Sequence, residues 1–151
     1  MIARNGRSLC SGSQRYQQFH PNAPDTIGIV VWIEVSWQTQ VADAQAVFDT
    51  GAGWSILNVD SAASLRLLGE TGEETIAIST RLGTFMGELI RLGLTLPTDD
   101  GEVVSLEVPF LVCEDWYAPT FLGYQGLMDR LAFAVDPSDD TFHFGIAGEA
   151  P

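Results

Sequence analysis

One stretch of the sequence brings together residue types able to do chemistry at a single point. It is Val47-Phe48-Asp49-Thr50-Gly51-Ala52-Gly53-Trp54-Ser55-Ile56-Leu57. An apolar pair delivers an aspartate, and a second apolar run follows it. Apolar surroundings favour a neutral carboxyl, whereas hydrogen bonds to the oxygens favour the ionised form. Thr50 offers a hydroxyl donor beside the carboxyl. Gly51 tolerates backbone angles and close approaches that a side chain forbids. The plain alternative is a strand ending in an Asx or ST turn, which needs only Asp, Thr and Gly in that order. The apolar flanks, and a second segment downstream, Phe121-Leu122-Gly123, favour chemistry over a plain turn.

Other chemistries find little support. The two cysteines are Cys10, in a polar stretch, and Cys113, in an apolar run; the two histidines are His20 and His143. None has metal-ligand spacing, so neither a metal nor a cofactor is expected. A serine-histidine site would need His20 or His143, and no Gly-x-Ser-x-Gly is present. No phosphate loop, dinucleotide fingerprint or zinc helix motif occurs. Cys113 reads as a small core residue. His143, between Phe142 and Phe144, reads as the outward residue of a strand.

The elements that must position Asp49 are mostly strands. Residues 25–37 are crowded with β-branched and aromatic residues. Ala42–Phe48 is the next strand and delivers Asp49, with a hairpin around Gln38–Asp43. Trp54–Leu57 is a short third strand, and Trp54 is expected in the core because large aromatics are usually buried. Asp60–Leu68 reads as a short helix, with Asn58 or Asp60 as its cap and Gly69 as its stop. Thr75–Thr80 and Phe85–Leu96 form a hairpin about the tip Thr80-Arg81-Leu82-Gly83-Thr84. In its second strand Met86, Ile90, Leu92, Leu94 and Leu96 share a face, interrupted by Glu88. Val103–Cys113 is another strand, with Pro109 at an edge or bulge. Leu127 and Leu131 stand four apart, predicting a helix over 124–131 that Gly126 weakens. Phe133–Val135 and Phe142–Phe144 close the chain as a hairpin. No repeat appears. The class is all-β, a small barrel or sandwich with one or two short helices.

With 151 residues and 46% hydrophobic content the chain supports one domain with a real core. Residues 1–24 are polar and end in Pro21 and Pro24, predicting a flexible arm before a domain over 25–147 and a tail over 148–151. Net charge is −13, and all seven basic residues are arginines. Three of them lie in the first fifteen residues, which hold no acid, so residues 16–151 carry −16. Such a surface argues against nucleic acid as a partner, because phosphate binding needs a basic patch. It suits cationic substrates or plain solubility. No apolar run reaches 18 residues, so no membrane span is expected. The polar Ser8–Gln18 stretch does not fit a signal peptide, so a cytoplasmic location is expected.

The order of segments resembles one subunit of the retropepsin-like aspartic proteases, of the bacterial, single-domain type, over about residues 26–146. The resemblance implies a closed all-β subunit and a peptide or protein substrate. It assigns catalysis to Asp49, Thr50 and Gly51. It assigns substrate contacts to Ala52, Gly53 and a flap formed by Arg81, Leu82, Gly83, Thr84 and Phe85. Phe121, Leu122 and Gly123 become the strand that crosses behind the catalytic loop. Such enzymes use two carboxylates sharing one proton. This chain has one Asp-Thr-Gly, so the resemblance implies a two-fold homodimer with Asp49 on the axis and Thr50 hydroxyls bonded across it.

Two positions depart from the family pattern. Many members carry an acid two residues after the motif glycine and an arginine after the second motif's glycine, and these pair as a brace. Gly53 and Tyr124 stand there instead. Both partners are gone, so no buried charge is stranded. The departure leaves open a second expectation: a catalytically weak or inactive module that uses the same fold for binding or assembly.

Overall fold

Runs of β-branched and aromatic residues, separated by short polar turns, become the strands of this fold. The computed structural model describes residues 3–4 and 7–148, with side chains from Leu9 onward. The first strands are β1 (Ala3–Arg4), β2 (Arg7–Ser8), β3 (Gly12–Arg15) and β4 (Gln17–His20). Next come β5 (Ala23–Trp37), β6 (Gln40–Phe48), β7 (Ser55–Leu57) and the helix α1 (Val59–Ser64). After them lie β8 (Glu74–Thr80), β9 (Gly83–Leu96), β10 (Asp100–Gly101), β11 (Val104–Val112) and β12 (Thr120–Leu122). A 3-10 turn at Met128–Arg130 leads to β13 (Leu131–Asp136) and β14 (Thr141–Ile146).

Eight strands form one sheet in the order β4-β5-β6-β12-β7-β11-β9-β8. Pairing of β5 with β9, from Glu34↔Thr95 to Ser36↔Gly93, curls that sheet back on itself. A second sheet has the order β10-β3-β14-β13. Between them lies the main core, in which Ile33, Leu92, Leu94, Phe110, Phe142 and Phe144 are fully buried. His143 sits between the last two, half-buried on the opposite face of β14, as the alternation of a strand requires. A smaller cluster of Ile56, Leu111, Cys113 and Trp116 lies to one side. Among the described residues no helix is long and apolar enough to cross a membrane.

The fold differs from the sequence expectations at five places. The flexible arm expected over 1–24 is, from Gly12 to His20, two strands of the sheets. β3 pairs with both β14 and β10, and β4 pairs with β5. Gln14 explains the docking: its side-chain amide donates to Trp32 O at 3.0 Å and Pro97 O at 3.1 Å, and its carbonyl accepts from Trp32 N–H at 2.8 Å. The arm's residues before Gly12 lie partly outside the described residues.

The helix expected over Asp60–Leu68 is shorter. Asn58 caps its start, accepting from Asp60 N–H at 2.8 Å. Arg66, at φ 60°, turns the chain so that Leu67 enters the core. The helix expected over 124–131 does not form. Gly126 takes φ +79°, and a Cβ there would lie 2.4 Å from Pro109 Cδ, so the backbone turns tightly against β11. Leu127 and Leu131 are buried, as their apolar spacing predicted. Met86 is two-thirds exposed rather than on the buried face of β9, because the β8–β9 hairpin leaves the barrel before Leu89. Finally, the first hairpin is tighter than Gln38–Asp43, turning on Gln38 and Thr39 alone with Trp37 opposite Gln40.

Candidate active site

Asp49 is placed by a crossing of strands. β12 runs parallel to β6, pairing Leu122 with Phe48, and antiparallel to β7 at Phe121↔Ile56. The chain therefore leaves β6, loops through residues 49–54, and returns as β7 on the far side of β12. Asp49 N–H donates to Leu122 O at 3.0 Å, which ties the start of the loop to that crossing strand. Asp49 is half-buried, and its Oδ1 accepts from Gly51 N–H at 2.8 Å. Asp49 O accepts from Ala52 N–H at 3.1 Å. These are the bonds of an Asx-type turn, and they aim the carboxyl.

The far side of the loop is held from behind by the segment after β12. Tyr124 N–H donates to Ala52 O at 2.8 Å, and Gln125 N–H donates to Gly53 O at 2.9 Å. Gly123 N–H donates to the buried Ser55 Oγ at 2.9 Å. Gly123 must lack a side chain, since a Cβ there would lie 2.4 Å from the backbone carbonyl of Trp54. Gly53 and Tyr124 make no side-chain brace, and Tyr124 points largely into solvent. Main-chain bonds from the same two segments hold the loop in its place.

A cleft of about 650 Å³ opens beside Asp49. Of the residues predicted for the site, it gathers Asp49, Gly51, Ala52, Gly53, Arg81 and Leu82, together with Phe121 from the second motif. Others lie elsewhere. Thr50, Gly83 and Thr84 are exposed and do not line the cleft. Phe85 stands behind it, edge-on to Trp116 with ring centroids 4.9 Å apart. Leu122 is buried in the main core.

Sequence reasoning missed much of the wall. Trp54, expected in the core, is only partly buried and lines the cleft, with Gly123 packed against its backbone carbonyl. Ile56, Ile78, Ser79, Thr80, Trp116 and Gln125 also contribute. Trp116 arrives on a loop that Asn58 bolts down, its amide donating to Ala118 O at 2.8 Å while Val59 N–H donates to Trp116 O. Trp116 Nε1–H is itself satisfied by Pro119 O at 2.9 Å. The hairpin tip is the Arg81–Leu82 pair, fixed by Thr80 Oγ1, which accepts from Leu82 N–H and donates to Gly83 O. The cleft thus combines a positioned carboxyl and a guanidinium with a largely apolar, aromatic wall. Among the described residues, no three His, Cys, Asp or Glu side chains converge as metal ligands would.

No protein-family model and no curated protein matches the sequence. Solved structures do match. A retropepsin-like aspartic protease from Rickettsia conorii aligns over 87% of this chain and 98% of its own, at 16% identity and a TM-score of 0.57. EIAV protease complexed with the inhibitor HBY-793 aligns over 66% of this chain and 85% of its own, at 19% identity and a TM-score of 0.46. Simian foamy virus protease aligns over 66% and 91%, at 19% identity and 0.39. The crossing of β12 behind the Asp49 loop and the nearly full-length match to the rickettsial structure lead to one conclusion: the chain has the retropepsin-like aspartic protease fold.

Proposed function

We propose that the chain is one subunit of a homodimeric aspartic endopeptidase. Two copies related by a two-fold axis bring their Asp49 carboxyls together, sharing one proton. The protonated carboxyl polarises the scissile carbonyl. The ionised one takes a proton from water as its oxygen attacks the carbonyl carbon, and the amide nitrogen gains a proton as it leaves. Thr50 bonds across the axis and keeps the two loops rigid. The β8–β9 hairpin acts as the flap, with Arg81 and Leu82 over the substrate. The supporting observation is Asp49, aimed by the Gly51 N–H into a cleft that the hairpin tip also lines.

A second reading is a binding or assembly module with weak or no catalysis. The bare Gly53 and the outward Tyr124, which leave the loop without a side-chain brace, favour it. One experiment separates the two. Purified protein is incubated with an unfolded polypeptide at mildly acidic pH and the products are read by mass spectrometry. Wild type is expected to cleave. Asp49→Asn is expected to lose cleavage with an unchanged unfolding transition. Cleavage that survives the substitution overturns the proposal.

A further inference from the structure

The peptide-binding cleft contains a polar group with no structural duty. Gln125 lines it together with Asp49 and Gly53. Its main-chain N–H is spent on Gly53 O. Its side-chain amide has no hydrogen-bond partner among the described residues, and its Nε2 lies 3.9 Å from the place where a Cβ on Gly53 would sit. Of the other polar side chains of the cleft, Ser79 offers one hydroxyl on β8, and the rest differ in kind. Thr80 is committed to the hairpin tip. Asp49 and Arg81 are charged. Ile56, Ile78 and Phe121 offer only apolar surface, Trp116 Nε1–H is spent on Pro119 O, and Trp54 offers a single indole donor with no acceptor beside it. A carboxamide carries a donor and an acceptor side by side, which matches the N–H and C=O of an extended peptide. The absent side chain at Gly53 leaves the space through which that peptide backbone reaches it.

We infer that Gln125 is a substrate-positioning residue that hydrogen-bonds the main chain of a peptide bound beside Asp49, in the space left open at Gly53. The inference rests on the peptide-cleft reading above, but not on catalysis.

Binding is measured with oxidised insulin B chain, which has no tryptophan, by quenching of the protein's own tryptophan fluorescence. The Asp49→Asn background prevents turnover. Adding Gln125→Ala is expected to raise Kd about tenfold, the size of one neutral hydrogen bond. Adding Gln125→Glu, which keeps the acceptor and loses the donor, is expected to fall between. Unfolding midpoints are expected to stay together, since the side chain holds nothing in the free protein. In the Asp49 protein, Gln125→Ala is expected to raise KM far more than it lowers kcat. An unchanged Kd and KM overturns the inference while leaving the protease reading intact. A Kd that depends on Gln125 in a protein that cleaves nothing keeps the inference and removes the catalytic reading. Absence of binding by every variant overturns the inference and leaves the catalytic reading to the cleavage test.

Discussion

Ser55 is fully buried, and its hydroxyl is the acceptor for Gly123 N–H. That bond joins the two segments that shape the Asp49 loop. Ser55→Ala would leave a buried N–H without a partner, a loss of about 1–3 kcal/mol. Denaturant unfolding is expected to show a lowered midpoint with an unchanged slope. Cys113 makes a different prediction. It is fully buried beneath the β8–β9 hairpin, and burial, with Asp115 nearby as the lesser cause, pushes its thiol up to about 11 from 9.0. The raised value means that the folded state prefers the neutral thiol. Its contribution to stability is fully present below pH 9 and is lost as pH rises through 11. Alkylation at pH 8 is therefore expected to spare Cys113 in folded protein and to modify it once the protein is unfolded. Rapid labelling of the native protein at Cys113 would show that the hairpin opens far more readily than its packing implies.

At the scale of the element, β3 is the part of the fold most at odds with its composition. It is a polar strand of Gly, Ser, Gln and Arg, yet Gln14 is buried and spans three backbone groups of other elements. Gln14→Ala would strip the partner from Trp32 N–H and from two carbonyls, and about 2–3 kcal/mol of destabilisation is expected from urea unfolding. A change within error would mean that β3 is held by its ladder with β14 alone. The β8–β9 hairpin is the opposite case. Close to its turn it packs on Trp116 through Phe85, which pairs with Ile78, while Arg81, Leu82 and Met86 face outward. An exposed tip is what the proposed flap role requires.

At the scale of the whole molecule, charge is the dominant fact. Twenty acids against seven arginines leave −13, and residues 73 and 91 form an exposed ion pair at 2.7 Å that adds little stability. A surface of this sign draws cationic peptides inward and repels acidic ones. Cleavage of Lys-rich peptides is expected to exceed that of Glu-rich peptides of equal length at low salt. The gap should close as ionic strength approaches 0.1 M, where the screening length falls to about 10 Å. Equal rates at low salt would mean that the charge serves solubility alone.

The fold class was legible because its signals are local. β-branched runs, Gly-marked turns and two short motifs each act within a few residues, and they located the strand that delivers Asp49, the hairpin tip and the crossing strand. Three features depended on contacts between distant segments. Gln14 reads as an arm residue until Trp32 and Pro97 are brought beside it. The 124–131 segment has helical apolar spacing, but Pro109 packs against Gly126 and compels a turn. Trp54 is apolar enough for a core, yet it lines the cleft, with Gly123 packed against its carbonyl. The sequence by itself determined the all-β class and the strand that ends at Phe48 and hands the chain to Asp49. Tertiary packing decided which side chains wall the cleft, because steric fit and hydrogen bonding between segments sixty or more residues apart have no periodicity to reveal them.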